Sequence, residues 1–206
     1  MSVIWISGWG VAPEGLRAAA TKALPNAEHL FRPPAPEALT DLGGCKLLVG
    51  WSLGAWRILN AAAHGMRFDE QVLLLAPFTA FCSEHNSGGR CSLTQVRWLR
   101  RWLQRDPEAA LKDFYARAGL DGGIPYAAEH LLEGLDRLAE EASPALQAFG
   151  RRGLPVNWSA VVGDRDPVLD AAAICQAIQG CKIVPGARHR FEDLVGPGLE
   201  GASNAI

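Results

Sequence analysis

A serine hydroxyl attacks a carbonyl usefully only when a neighbouring base takes its proton and an acid holds the resulting imidazolium. Three stretches of this chain could supply those parts. The first is the pentapeptide Gly50-Trp51-Ser52-Leu53-Gly54, which follows the apolar run 45–49 and precedes the helix-like run 55–63. A strand, a sharp turn with a glycine two residues to each side of a serine, and then a helix is the context of a nucleophile elbow. The glycines have a physical task there, because strand and helix can pack closely around a strained serine only if its neighbours lack Cβ atoms. The turn lifts the hydroxyl to the carboxyl end of a sheet, at a helix N-terminus whose first N–H groups are unpaired. A G-x-S-x-G pattern alone is weak in a chain with 22 glycines, so the order of the other parts must carry the assignment.

One hydrolase layout runs serine, acid, histidine, with acid and base on loops at the carboxyl ends of later strands. The run 156–162 ends in Gly163-Asp164-Arg165-Asp166-Pro167-Val168, and the next apolar run ends in Pro185-Gly186-Ala187-Arg188-His189. Of five histidines, His29 lies in an early strand, His64 closes the helix after the serine, and His85 and His130 fall in a helical segment. His189 alone follows a strand after the acid. The acid is Asp166 or Asp164. Asp166, three residues beyond Gly163, has the reach to lie against an imidazole and is favoured; Asp164 is expected to cap the turn or pair with an arginine. Ser52, Asp166 and His189 thus form the candidate triad. Charge developing on the carbonyl oxygen needs donors as well. The Leu53 amide, next after the serine, is one candidate, and the Trp9 amide in the loop Ser7-Gly8-Trp9-Gly10 is the other.

These loops require a sheet. Apolar runs at 3–6, 27–31, 45–49, 71–75, 156–162 and 182–184 alternate with helical stretches at 15–24, 36–42, 55–63 and 171–178. That alternation predicts an α/β fold with a mostly parallel sheet of about six strands and helices on both faces. Leu47-Leu48-Val49 and Val72-Leu73-Leu74-Leu75 are apolar without interruption, as strands buried on both sides are. Between residues 78 and 152 the alternation stops. Ser92 with Gln95 makes a capping box for a helix to 104, and Asp106-Pro107 starts another to about 118 with Gly119 after it. A third helix is expected over 126–142 and a short fourth from Ser143-Pro144. The expected organisation is a core of 1–77 and 153–206 with a helical lid inserted at 78–152. The glycine-rich tail beyond Leu194 reads as weakly ordered.

From Arg90 to Arg105 there are five arginines and no acidic residue. On a helical wheel Arg97, Arg100, Arg101 and Arg105 share one face, opposite Val96, Leu99, Trp102 and Leu103. A basic helix over a hydrolase pocket suits an acidic carrier protein or a phosphate, although a solvated face that only aids solubility is the plainer alternative. The aromatic residues Phe78, Phe81, Trp98 and Trp102 could wall an acyl-chain pocket or be ordinary lid packing.

Composition narrows the rest. A net charge of -2 gives no global basis for binding nucleic acid or membrane, so a charged partner must meet a local patch. The five cysteines form no C-x-x-C pair and their number is odd, and no apolar run nears the roughly 18 residues of a membrane span. Reduced thiols and a cytoplasmic protein are expected, with a Cys82–Cys91 disulfide as the alternative. Nothing calls for a metal or organic cofactor, and a monomer is expected.

Three separated segments agree with one family. Ser7-Gly8-Trp9-Gly10, Gly50-Trp51-Ser52-Leu53-Gly54 and Gly186-Ala187-Arg188-His189-Arg190-Phe191 together resemble the pimeloyl-acyl carrier protein methyl ester esterases of biotin synthesis, which are α/β-hydrolases with a helical lid. The resemblance extends into the insertion, where Leu131-Leu132-Glu133-Gly134-Leu135 leads towards Pro155 and the next strand. It implies hydrolysis of the methyl ester on a pimeloyl chain held by acyl carrier protein. It also implies Ser52, Asp166 and His189 as triad, and Trp9 and Leu53 as oxyanion donors. A general short-chain carboxylesterase or an acyl thioesterase would use the same machinery, and a non-catalytic ligand-binding relative is the alternative of another class. Two departures stand out: Ser7 occupies the place of the family's usual histidine, and the initial hairpin is missing, because residue 3 begins directly in the strand before the oxyanion loop.

Overall fold

The computed structural model describes residues 1–121 and 126–203. Six strands, β1 (Ser2–Ile6), β2 (Glu28–Arg32), β3 (Leu47–Trp51), β4 (Gln71–Leu75), β5 (Trp158–Gly163) and β6 (Cys181–Val184), form one sheet in the order β2-β1-β3-β4-β5-β6. Every pairing is parallel, from Val3 opposite Leu47 through Val49 opposite Leu73 to Val162 opposite Ile183. Parallel strands need covering on both faces, and the central ones show it: all five residues of β3 and the last four of β1 and β4 are buried. The edge strands β2 and β6 are only partly buried, which is why their sequence runs are less uniformly apolar.

Helices α1 (Arg17–Ala23), α2 (Leu53–Ala63), α7 (Ala171–Ala177) and α8 (Phe191–Ser203) flank the sheet, and α3 (Leu93–Arg105), α4 (Pro107–Ala118), α5 (Ala128–Leu138) and α6 (Pro144–Arg152) lie between β4 and β5. α2 fits against β3 because Gly50 has no side chain: a Cβ there would stand 2.7 Å from the Ala55 nitrogen and from Ile58 Cδ1. The expected capping box is present, with the Ser92 hydroxyl accepting from Gln95 N–H and the Gln95 side chain accepting from Ser92 N–H. Gly119 closes α4 in the left-handed conformation at φ 66. The third inserted helix is shorter than expected, beginning at Ala128 rather than 126 and ending at Leu138 rather than 142.

One expectation is corrected. The tail beyond Leu194 is not weakly ordered; it continues α8 to Ser203, with Pro197 inside the helix. The glycines that lower its helix propensity let it lie close to the sheet, since a Cβ on Gly198 would come 2.9 Å from Leu75 and 3.0 Å from Leu73. Burial of Phe191, Leu194 and Val195 outweighs the propensity cost of about 1 kcal/mol per glycine. Residues 204–206 of the tail, and 122–125 of the insertion, lie outside the described residues. Among the described residues no helix is long and apolar enough to cross a membrane. Cys82 and Cys91 sit opposite one another in an isolated bridge but are free thiols, as are the other three cysteines.

Candidate active site

Ser52 stands between β3 and α2 at φ 55, ψ -115, a left-handed conformation that costs a non-glycine residue of order 1–3 kcal/mol. Its neighbours enforce it. A Cβ on Gly54 would be 2.5 Å from the Ile6 carbonyl oxygen, and one on Gly50 would be 2.7 Å from the Gly54 carbonyl oxygen, so only glycines allow the turn to close. The Ser52 amide is anchored to the Leu75 carbonyl at 2.8 Å, and the Ser52 carbonyl accepts from Trp56 N–H at 3.0 Å as the helix begins.

The structure brings the three residues of the candidate triad together. His189 Nε2 lies 3.0 Å from Ser52 Oγ, and His189 Nδ1 lies 2.6 Å from Asp166 Oδ2. The other carboxylate oxygen, Asp166 Oδ1, accepts the amides of Val168 and Leu169, each at 2.9 Å. Both oxygens of this buried acid are thus occupied, which orients the carboxylate. A proton on Nδ1 facing Asp166 leaves Nε2 to accept the Ser52 hydroxyl proton. Ser52, Asp166 and His189 are 7%, 1% and 3% exposed, so the chain of hydrogen bonds runs largely out of water, where it is strongest. Asp164 takes the capping role instead: its Oδ1 accepts the Gly186 amide at 2.7 Å and stays outside the triad.

The loop after β1 lies against the elbow. A Cβ on Gly8 would be 3.2 Å from Ser52 Cβ, so this glycine gives the loop its close approach. The Trp9 and Leu53 amides, on residues 2% and 0% exposed, donate to no acceptor among the described residues. Two buried unpaired N–H groups beside a serine can accept a developing negative charge. The Trp9 ring is held from the insertion: its Nε1–H donates to the Leu131 carbonyl at 2.8 Å, and Phe114 meets it edge-on with centroids 4.6 Å apart. Gly134 lies so near that a Cβ would stand 2.6 Å from Trp9 Cδ1 and 3.0 Å from Leu53 Cδ2.

The insertion residues divide. Arg97, Arg101 and Arg105 are exposed on α3, but Arg100 is not part of an open basic face, because Asp136 on α5 takes it in a two-point ion pair with Nε–Oδ1 at 2.6 Å. An apolar cavity of about 60 Å³ runs between insertion and core, lined among others by Trp9, Phe81, Trp98, Phe114, Leu138 and Val168. Of the four aromatic residues read as pocket wall or ordinary packing, Trp98 and Phe81 line this cavity, although Trp98 is also 46% exposed. Phe78 and Trp102 do not. Phe78 is buried at the end of β4 against Phe81, and Trp102, half-buried against the core, meets the exposed Trp98 with rings 4.5 Å apart beside an open cleft with Arg101 and Arg105. The apolar face expected on α3 is the one that packs inward: Val96 and Leu103 are buried, and Leu99 and Trp102 lie partly buried against the core.

Some supporting residues had no motif to announce them. Arg90 donates from Nη1 to the Asp166 carbonyl at 3.0 Å, and its amide donates to the Val168 carbonyl at 2.9 Å, bracing the acid loop from the insertion side. Trp51 Nε1–H donates to the His189 carbonyl at 3.0 Å. Position in the pentapeptide could have flagged Trp51; nothing local could have flagged Arg90. Among the described residues no group of three His, Cys, Asp or Glu side chains is placed to hold a metal ion.

No family model matches the chain, and no curated protein matches it in sequence. Solved structures match across nearly its whole length. An esterase from Exiguobacterium antarcticum shares 14% identity at a TM-score of 0.69, covering 100% of this chain and 91% of that one. A thermophilic esterase from Thermogutta terrifontis shares 15% at 0.63, covering 100% and 86%. A hydrolase from Pseudomonas aeruginosa shares 15% at 0.59, covering 98% and 88%. With its six-stranded parallel sheet, flanking helices and strand-turn-helix serine, the chain has the α/β-hydrolase fold.

Proposed function

We propose that this protein is a serine carboxylesterase that hydrolyses the methyl ester of a pimeloyl chain carried on acyl carrier protein. The observation that carries the hydrolase part is the unbroken line from Ser52 Oγ through His189 to Asp166, set on a strained elbow. Ser52 Oγ attacks the ester carbonyl as its proton passes to His189 Nε2, giving a tetrahedral oxyanion to which the Trp9 and Leu53 amides donate. The intermediate collapses with cleavage of the C–O bond to the alcohol, and His189 returns the proton to the departing alkoxide, which leaves as methanol. Water then attacks the acyl-enzyme, again giving its proton to His189, and Ser52 is regenerated as the free acid leaves. Asp166 keeps the imidazole oriented and stabilises its charged form throughout. That several structural neighbours bear the name esterase supports this reaction class.

The substrate rests on the resemblance in the three loop segments and on charge. Arg97, Arg101 and Arg105 have no carboxylate partner among the described residues, which suits an acidic carrier docking on an insertion that acts as a lid. The enzyme would work as a cytoplasmic monomer. A second reading, a short-chain carboxylesterase or thioesterase, is favoured by the narrow cavity and by the engagement of Arg100 with Asp136. A non-catalytic binding module has less support, since no triad member is missing. Complementation of a strain lacking its biotin-pathway esterase separates these readings: growth with wild type and none with Ser52→Ala supports the carrier ester. Failure of both, with short-chain esters still hydrolysed by the purified protein, supports the second reading.

A further inference from the structure

The loop from Ser7 to Gly10 must present the Trp9 amide to a carbonyl oxygen, and its own turn supplies one long hydrogen bond, from Val11 N–H to the Gly8 carbonyl at 3.3 Å. Its two glycines carry no side chains, and Gly10 adopts φ 75, a conformation glycine both enters and leaves without steric cost. The Arg32 carbonyl accepts from Ser7 N–H at 3.0 Å, and further groups that fix the loop come from far along the chain. Tyr126, just before α5, accepts the Gly10 N–H on its hydroxyl at 3.0 Å. Tyr115, on α4, donates its hydroxyl to the Gly10 carbonyl at 2.6 Å. Both backbone polar groups of the residue following Trp9 are therefore taken by tyrosines 116 and 105 positions away. Tyr115 is only 8% exposed, and burial pushes the Tyr126 phenol well above its ordinary value, so it stays a neutral partner.

Geometry then limits the peptide that matters. The Trp9–Gly10 plane is fixed at Gly10 N–H and the next plane at Gly10 C=O, while the Trp9 ring is fixed by Leu131, Phe114 and Gly134. The remaining plane, which carries the Trp9 N–H, joins these at the Trp9 Cα; its Gly8 carbonyl accepts from Val11 N–H at 3.3 Å, and Gly8 lies close against Ser52. Little freedom is left to it. Both tyrosine hydroxyls meet the backbone of Gly10, and through it they act on the loop.

We infer that Tyr115 and Tyr126 are positioning residues of the oxyanion hole, and that the inserted helices are a structural part of that hole as well as a cover. This deepens the esterase reading and rests on it. Seating of the insertion and competence of the Trp9 donor are then one event: a movement that withdraws Tyr126 and Tyr115 from Gly10 disassembles the hole.

The test compares wild type with Tyr115→Phe, Tyr126→Phe and the double variant, using p-nitrophenyl acetate. Removing an oxyanion donor outright costs about 10²–10³ in kcat, so a donor left in place but loosened should cost about tenfold in each single variant and up to about 10²-fold in the double, with KM little changed. Binding of a trifluoromethyl ketone, whose adduct with Ser52 carries the oxyanion, should weaken in parallel. Stoichiometric titration of Ser52 with a fluorophosphonate counts folded sites, so a loss of folded protein is not read as a loss of kcat. If the double variant fails to fold, Gly134→Ala approaches the same loop from α5 by pushing on Trp9, and it should show the same kcat-only loss. A folded double variant with kcat within twofold of wild type, or with a raised KM and unchanged kcat, overturns the inference. Wild-type protein that neither hydrolyses the ester nor takes the fluorophosphonate at Ser52 overturns the esterase reading itself.

Discussion

The two halves of the site are held in different ways. Ser52 and Asp166 are fixed by near neighbours in the chain: glycines two residues to each side of the serine, and amides two and three residues beyond the acid. The oxyanion loop and the outer side of the acid loop are fixed by the insertion, from Arg90, Tyr115, Tyr126 and Leu131, across separations of 76 to 122 residues. The reacting groups are thus set by short motifs, and their surroundings by long-range packing. Loss of a reacting group should abolish chemistry while leaving the fold; damage to its surroundings should reduce the rate in steps.

The sharpest contrast lies within one loop. Asp166→Asn should lower kcat by about 10⁴-fold, because the amide offers His189 the wrong hydrogen-bonding partner, whereas Asp164→Asn, which alters only a turn cap, should stay near wild type in ester hydrolysis. Equal losses from both would break the division between acid and cap. Next in size is Gly54→Ala. Its new Cβ would meet the Ile6 carbonyl at 2.5 Å, and overpacking of this kind costs about 1–3 kcal/mol, read as a lowered midpoint in thermal or urea unfolding together with lost activity. A variant of unchanged stability would show that the elbow is not held by its glycines.

On the insertion side the effects should be smaller and depend on substrate. Arg97→Glu with Arg101→Glu should raise KM for a carrier-bound ester by about tenfold, the size of one or two lost charge contacts, and leave p-nitrophenyl acetate unaffected. Equal behaviour towards both esters removes the carrier from the proposal. The smallest effect is chemical. Burial holds the Cys82 and Cys91 thiols up at about 11, while the neighbouring Cys181 thiol lowers that of Cys175. A lowered thiol carries more thiolate at pH 8 than a raised one, so iodoacetamide should alkylate Cys175 before Cys82 or Cys91, as peptide mass mapping would show.

The same contrast explains what could be read beforehand. The alternating apolar runs marked all six strands, and Ser52, Asp166 and His189 were identifiable because each sits in a turn whose local residues give it away. The capping box at Ser92 and the stop at Gly119 were legible for the same reason. The tail was misread because glycine and proline lower helix propensity locally, while contacts of α8 with β4 and β5 decide the outcome. Arg100 was grouped with its neighbours because a wheel cannot know that Asp136 lies across from it on α5. Tyr115 and Tyr126 carried no signal at all, since their partner is the backbone of a residue at the other end of the chain.

The central claim is that Ser52 is an activated nucleophile. Incubation of the folded protein with a fluorophosphonate, followed by peptide mass mapping, tests it directly. Activation by His189 and Asp166 predicts one stoichiometric adduct on Ser52, its rate cut by several orders of magnitude in His189→Ala, and no adduct in Ser52→Ala. Folded wild-type protein that remains unlabelled, or that labels equally fast without His189, would contradict it.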